Sequence, residues 1–152
     1  FGTALAVAVA LLSRSADGFF LPGIISSAGT TILILISIGF RRPFVAWTSA
    51  AARGWPLGWY WHPRVRPAYT RTSWLWAVFF ATRSLIQWRL YGDEETVALA
   101  AARVIMGWPA LLVLLVATYV LGRRWLTQLQ GPAVAEFEAA ENPPWEGQKR
   151  GF

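Results

Sequence analysis

The stretch FFLPGIISSAGTTILILISIGF, from Phe19 to Phe40, contains no ionisable side chain and is closed by Arg41, Arg42 and Pro43. The hydrocarbon core of a bilayer is about 30 Å thick, and an α-helix needs about 20 residues to cross it. The stretch therefore predicts a membrane-spanning helix, and the remainder of the chain has to be interpreted in a lipid environment.

The composition agrees with this interpretation. Hydrophobic residues make up 55% of the 152 residues, charged residues make up 14%, and the mean hydropathy is +0.40. These values favour a membrane protein over a soluble domain. The chain has no cysteine, which excludes a disulfide framework, a thiolate nucleophile and a sulfur ligand for zinc or an iron–sulfur cluster.

Charged residues and helix breakers separate four apolar segments, which we predict to be spans over residues 1–12, 19–40, 73–91 and 97–121. We expect the first span to be truncated, because Phe1 already begins an apolar run. The sequence thus predicts an all-α polytopic membrane protein. Its transmembrane domain covers residues 1–125, and residues 126–152 form a partly disordered tail.

The distribution of charge predicts the orientation. The loop over residues 41–72 contains no acid, and its basic residues are Arg41, Arg42, Arg53, Arg64, Arg66 and Arg71. The opposite end of the third span carries Asp93, Glu94 and Glu95, and the fourth span is followed by Arg123 and Arg124. By the positive-inside rule, the loop and the C-terminal tail are cytoplasmic. The net charge of +6 is then explained by anionic lipid headgroups, and we expect no nucleic-acid partner.

The basic loop is also rich in aromatic residues. Its apolar part is too short to span a bilayer, so we expect a helix that lies along the membrane surface. Two interpretations stay open for this region: anchoring at the interface, or a docking surface for a partner protein or a lipid headgroup. The residues concerned are Trp47, Trp55, Trp59, Trp61, Arg64 and Arg66.

Two arginines lie inside predicted spans. Arg83 falls within the third span and Arg103 within the fourth, and Gln87 is one helical turn beyond Arg83. An arginine near the bilayer centre disfavours insertion by roughly 2.5 to 3.5 kcal/mol, so both side chains should face protein or water. Either nearby acids neutralise them and fix helix packing, or the cluster binds an anion or a lipid phosphate. The candidate acids are Asp17, Asp93, Glu94 and Glu95.

Small residues mark a packing face on the second span. Gly23, Ser27 and Thr31 recur at every fourth position, and Gly29 lies beside them. Such a stripe allows another helix to approach closely, either within the protein or in a dimer. In the fourth span, Pro109 should kink the helix.

The sequence contains no pattern that indicates catalysis. His62 is the only histidine, and Met106, the other candidate axial ligand, is predicted to lie on a helix that begins across the membrane, so we expect no cofactor and no metal. There is no phosphate-binding glycine loop and no nucleophile elbow, and no pair of carboxylates lies within a span. We therefore predict a non-enzymatic protein without catalytic residues.

Several motifs resemble a family of actinobacterial multi-pass membrane proteins known only as a domain of unknown function, of the DUF3159 type. The resemblance rests on Phe20, Leu21, Pro22, Gly23, Ile24, Ala28, Gly29, Arg41, Arg42, Pro43, Ala68, Tyr69, Thr70, Trp74, Trp76, Arg83, Gln87, Leu90 and Tyr91. It runs from Phe1 to about Arg124. It implies a protein of the bacterial plasma membrane with further apolar segments upstream, and it implies no activity, substrate or cofactor.

Two functional hypotheses follow. The first is an accessory or scaffold subunit of a larger membrane complex, with lipids and other membrane proteins as partners. The alternative is a small transporter or channel-like protein with an arginine-lined site for an anion or a lipid phosphate.

Overall fold

A computed structural model describes residues 17–92 and 96–147, and every regular element within them is an α-helix. The predicted all-α class is therefore confirmed. The predicted first span, residues 1–12, lies outside the described residues, as do Asp93, Glu94 and Glu95. The helices are α1 (Asp17–Gly39), α2 (Phe44–Arg53), α3 (Leu57–Tyr60), α4 (Arg66–Gly92), α5 (Thr96–Ile105), α6 (Trp108–Leu129) and α7 (Val134–Glu138).

Two stretches of the described chain are long and apolar enough to cross a membrane, Leu21–Gly39 and Val97–Leu129. The predicted third span forms most of α4, but it does not meet this criterion, so four spans are not confirmed. The physical reason is that Arg83, Gln87 and Arg89 lower the hydropathy of this helix.

The two apolar stretches differ from the core helices of soluble proteins in their burial. In the most apolar 18-residue window of each stretch, only 17% of the first and 6% of the second is buried within the protein. Exposed apolar side chains are common on α1 and α6, and they include Leu33 at 63% and Val113 at 69% exposure. These surfaces are left for lipid or for another protein to cover.

The long apolar stretch at residues 97–129 is interrupted once. Helix α5 ends at Ile105 and α6 begins at Trp108, one residue before Pro109. Proline cannot donate a backbone hydrogen bond, and its ring disturbs the preceding turn. Gly107 lies in the break with the position of a Cβ only 2.9 Å from the carbonyl oxygen of Arg103, so a larger residue there would force the backbone to shift. The predicted kink is thus present as a break between two helices.

The chain divides into two compact units. The described part of unit 1 consists of residues 17–32, 77–92 and 96–113, and the described part of unit 2 consists of residues 33–76 and 114–147. In unit 1 the buried apolar side chains are Ile24, Ala77 and Leu99. The buried core of unit 2 contains Val45, Ala46, Ala50, Trp59, Tyr60, Val65, Ala68, Tyr69 and Leu126.

Helix α2 in unit 2 uses part of its apolar surface for the protein core. Val45, Ala46 and Ala50 pack into this core, and the position of the helix along the membrane surface stays a prediction. The backbone N–H of Val45 donates to the Ser73 hydroxyl at 3.2 Å, which ties the start of α2 to α4. Gly54 ends α2 in the left-handed region with φ of 68°, a conformation that glycine adopts without strain.

Candidate functional site

The polar residues predicted to lie within the membrane come together in unit 1. Arg83 and Gln87 lie one turn apart on α4, and Arg103 projects from α5. A Cβ built at Gly23 of α1 would lie 3.9 Å from both Cζ and Nη2 of Arg103, so α1 and α5 are close at this point. The glycine leaves room for the guanidinium group, and three helices contribute to one polar cluster.

Two donors in this cluster are buried without a hydrogen-bond partner among the described residues. They are Nε of Arg83 and Nε2 of Gln87. Gln87 is only 3% exposed, while Arg83 is half-buried. A buried donor without a partner costs about 1–3 kcal/mol, so this arrangement is unfavourable unless an acceptor reaches it.

The cluster brings two positive charges near each other. The charge of Arg103 acts on the Arg83 guanidinium, so the two like charges are near neighbours. The predicted acidic partners Asp93, Glu94 and Glu95 lie outside the described residues, and so does the side chain of Asp17. The ion pairs expected from the sequence therefore remain predictions.

The small-residue stripe on α1 serves two different surfaces. Gly23 faces Arg103, and the buried Ser27 donates its hydroxyl to the Gly23 carbonyl at 2.9 Å. Thr31 in turn donates to the Ser27 carbonyl at 2.9 Å. A Cβ at Gly29 would meet no atom within 4 Å, so this position faces open space. Gly23 and Ser27 thus belong to the interior of unit 1, and a dimer seam stays a prediction.

An apolar groove of about 430 Å³ lies between α1 and α4 on unit 1. Almost all of the surface that lines it is apolar. Ala28, Ala81 and Ser84 contribute short side chains to its lining, and Trp88 contributes a large one. No pattern in the sequence predicts this groove, because its lining comes from two helices that are far apart along the chain. The remaining lining residues are Ile24, Ile25, Thr31, Ile32 and Leu85.

Trp59 is the clearest correction among the predicted interfacial residues. Its side chain is fully buried in unit 2, and its indole N–H donates to the carbonyl oxygen of Pro132 at 2.9 Å. The ring also packs edge-on against Tyr60 and Tyr69, with centroids 4.9 and 6.1 Å away. Trp59 therefore holds the chain after α6 against the core and is not available to a partner or to lipid.

The other predicted interfacial tryptophans are more accessible, and each contacts another aromatic ring or an arginine. Trp47 is 45% exposed and packs against Trp61 at a centroid distance of 5.8 Å. Trp55 and Trp61 are partly buried against the core. Arg66 is half-buried, whereas Arg64 is exposed.

Four arginines of unit 2 stack on tryptophans, a pattern that the sequence did not reveal. The guanidinium carbons lie 4.7 to 5.8 Å from the ring centroids, in the range of cation–π interactions. No local spacing predicts these pairs, except for Arg53 and Trp55, which are two residues apart. The pairs are Arg42 with Trp61, Arg53 with Trp55, Arg64 with Trp145, and Arg71 with Trp125.

The tail contacts the region around His62. The imidazole packs edge-on against Trp145, with centroids 5.4 Å apart, and against Phe137 at 6.4 Å. Its Nδ1 accepts a hydrogen bond from the Arg64 backbone N–H at 3.2 Å. Burial, and then the charge of Arg64, lowers the pKa of His62. The neutral imidazole is thus the form that this environment favours.

The buried phenols of unit 2 are structural. Burial raises the pKa of Tyr60 and of Tyr69, so both stay neutral at physiological pH. The Tyr60 hydroxyl lies 3.2 Å from the Ser49 hydroxyl. Within residues 17–92 and 96–147, no group of three His, Asp or Glu side chains could hold a metal ion.

Comparison with known proteins gives one match. The family described as "Protein of unknown function (DUF3159)" matches residues 1–129. No curated protein and no solved structure matches the chain. The match covers the helices that carry the polar cluster, the groove and the arginine–tryptophan pairs, apart from the tail residue Trp145.

Proposed function

Because this chain belongs to the family described as "Protein of unknown function (DUF3159)", a description that carries no activity, we propose a function from its own two units. The chain is a non-enzymatic, multi-pass membrane protein that acts as an accessory or scaffold subunit of a larger membrane complex. It resides in a bacterial plasma membrane, with residues 41–72 and the tail on the cytoplasmic side.

The groove between α1 and α4 is the observation that supports this proposal. Its lining is apolar, and the short side chains of Ala28 and Ala81 allow a neighbouring backbone to approach closely. In lipid, helices associate through close packing at small residues, since the hydrophobic effect gives them no further driving force. The proposed occupant is therefore a transmembrane helix of a partner subunit, with Trp88 packing against its side.

The charge pattern supports the proposed orientation. The acid-free segment 41–72 contributes four arginines that stack on tryptophans at the surface of unit 2. Amphipathic aromatic rings and arginines are both enriched where a protein meets the headgroups of the cytoplasmic leaflet.

A purification from native membranes tests the partner. The full-length protein is affinity-purified in a mild detergent, and co-purifying proteins are quantified by mass spectrometry. Ala81→Leu fills the groove, and Ala101→Leu makes the same change at an exposed position of α5. We expect one stoichiometric membrane protein with the parent and with Ala101→Leu, and at least a severalfold loss with Ala81→Leu. Recovery of lipid alone with the parent, or equal recovery with both variants, would contradict the proposal.

The orientation has its own test, because the chain has no native cysteine. Single cysteines at the exposed positions Ala51 and Ala139 are labelled with a membrane-impermeant maleimide in intact cells and in inverted vesicles. Labelling in the vesicles only agrees with a cytoplasmic loop and tail, whereas labelling in intact cells refutes it.

The second candidate, a small transporter or channel-like protein, is favoured by the polar cluster of unit 1, where two buried donors have no partner among the described residues. It predicts an anion flux through reconstituted vesicles.

A further inference from the structure

We infer that the polar cluster of unit 1 is a binding site for a phosphate group, with Arg83 and Gln87 as the donors that hold it. The inference goes beyond the subunit role, since it assigns a ligand that the chain binds with or without a partner protein.

The chemistry of the unpaired atoms determines which kind of ligand can bind. Nε of Arg83 and Nε2 of Gln87 are both hydrogen-bond donors, and neither has an acceptor among the described residues. A ligand that satisfies them must supply at least two acceptor atoms. A donor or a purely apolar group would leave both of them unpaired.

The placement of the two donors suits a single ligand. The two residues lie four positions apart on α4, so their side chains leave the same face of the helix with Cβ atoms about 5–6 Å apart. Two oxygens of one tetrahedral anion can bridge such donors. Gln87 is 3% exposed, which fixes its amide in the interior, while the half-buried Arg83 connects this interior to the surface.

The charge of the arginines favours an anion as this ligand. The guanidinium of Arg103 adds a second positive charge close to that of Arg83, and Gly23 provides the space for it next to α1. A neutral acceptor, such as a water molecule, would satisfy a donor but would not neutralise the Arg83 guanidinium, which has no counter-ion among the described residues. An anion does both, and the planar fork of arginine matches phosphate geometry.

A phosphate site agrees with the proposed location of the protein in a membrane. An arginine within an apolar helix is costly unless it reaches an anion or water. The phosphate of an anionic lipid is the nearest source of such an anion in a bilayer, and free phosphate is the soluble source with the same chemistry.

The test uses the full chain in detergent micelles and native mass spectrometry to count bound lipid. The probes are phosphatidylglycerol, diacylglycerol as the phosphate-free counterpart, and inorganic phosphate at millimolar concentration. We expect retention of phosphatidylglycerol over diacylglycerol by at least about tenfold, the factor that the loss of one charge-assisted hydrogen bond produces. Retention that inorganic phosphate does not displace identifies the lipid. Displacement, with binding of phosphate alone, identifies the soluble anion. Equal retention of the two lipids together with no binding of phosphate overturns the inference.

Matched variants locate the site. Arg83→Gln removes one charge from α4 at the cluster, and Arg89→Gln removes one charge at an exposed position of the same helix. We expect the first variant to lose at least about tenfold in affinity and the second to bind like the parent. Equal behaviour of the two variants would overturn the assignment.

A further variant keeps the test decisive if Arg83→Gln does not fold. Gln87→Glu is nearly isosteric and replaces the unpaired amide by a carboxylate one turn from Arg83. The built-in anion should raise the melting temperature and abolish phosphate binding. Unchanged phosphate binding in Gln87→Glu would refute the role of this cluster.

Discussion

Replacement of Trp59 by phenylalanine tests whether unit 2 is held together from its centre. The indole N–H donates to the Pro132 carbonyl at 2.9 Å across 73 positions of sequence, and both residues are buried. Trp59→Phe leaves that carbonyl without its donor, which costs about 1–3 kcal/mol. The smaller ring leaves a cavity that adds about 1 kcal/mol. The total of about 2–4 kcal/mol corresponds to a fall in melting temperature of about 5–15 °C for a chain of this size.

The assay is thermal unfolding of the purified protein in detergent, followed by tryptophan fluorescence and by protease cleavage after α6. Trp47→Phe is the matched control, since Trp47 is 45% exposed and donates no hydrogen bond to a described residue. We expect the control to cost less than about 1 kcal/mol. In Trp59→Phe, the segment after Gly131 should also become sensitive to protease at a lower temperature than in the parent. If Trp59→Phe and Trp47→Phe have the same melting temperature, the Trp59–Pro132 contact does not stabilise unit 2 and the reasoning fails.

Two further predictions concern the same unit. Gly131→Ala should destabilise the protein by about 1–3 kcal/mol in thermal unfolding, because the new Cβ would lie 3.1 Å from the Arg64 carbonyl oxygen. Gly39→Ala is the control and should not destabilise it, since a Cβ there would meet no atom within 4 Å. Equal melting temperatures of the two variants would refute this prediction. The pKa of His62 is lowered in the folded state, so the unfolded state binds its proton more readily; stability should therefore be full above about pH 6.5 and fall as the pH drops below it. Melting temperatures between pH 8 and about pH 5 should show this fall in the parent and not in His62→Gln, and a parallel fall in both would contradict it.

The long helices were predictable because their main signal is local. The stretch Phe19–Phe40 became α1, Asp17–Gly39, within two residues at each end. Hydropathy did not predict the start of α4 at Arg66, since Arg71 and Thr72 look like loop residues. In the structure Thr72 is fully buried, and it donates to backbone carbonyls within its own helix. An apolar run marks the part of a helix that faces lipid, and the helix itself can begin earlier.

The site residues also differ in whether their signal in the sequence is local. Arg83, Gln87 and Arg103 could be grouped from their positions, because polar side chains inside apolar segments should face protein or water and not lipid. The burial of Trp59 could not be predicted, since its partner Pro132 lies beyond three further helices. A tryptophan in a basic loop looks the same in sequence whether its ring faces lipid or protein. The pairing of Arg64 with Trp145 was hidden for the same reason.

The packed rings of Trp59, Tyr60 and Tyr69 give this chain an optical property that follows from their geometry. Their planes lie 72–81° apart with centroids 4.9–6.1 Å from each other. Closely spaced, fixed aromatic chromophores of this kind produce near-ultraviolet circular dichroism, which is lost when side-chain packing loosens even if the helices persist. The signal of this trio therefore distinguishes a correctly packed unit 2 from a helical but loosely folded one in any detergent or lipid in which the protein is prepared.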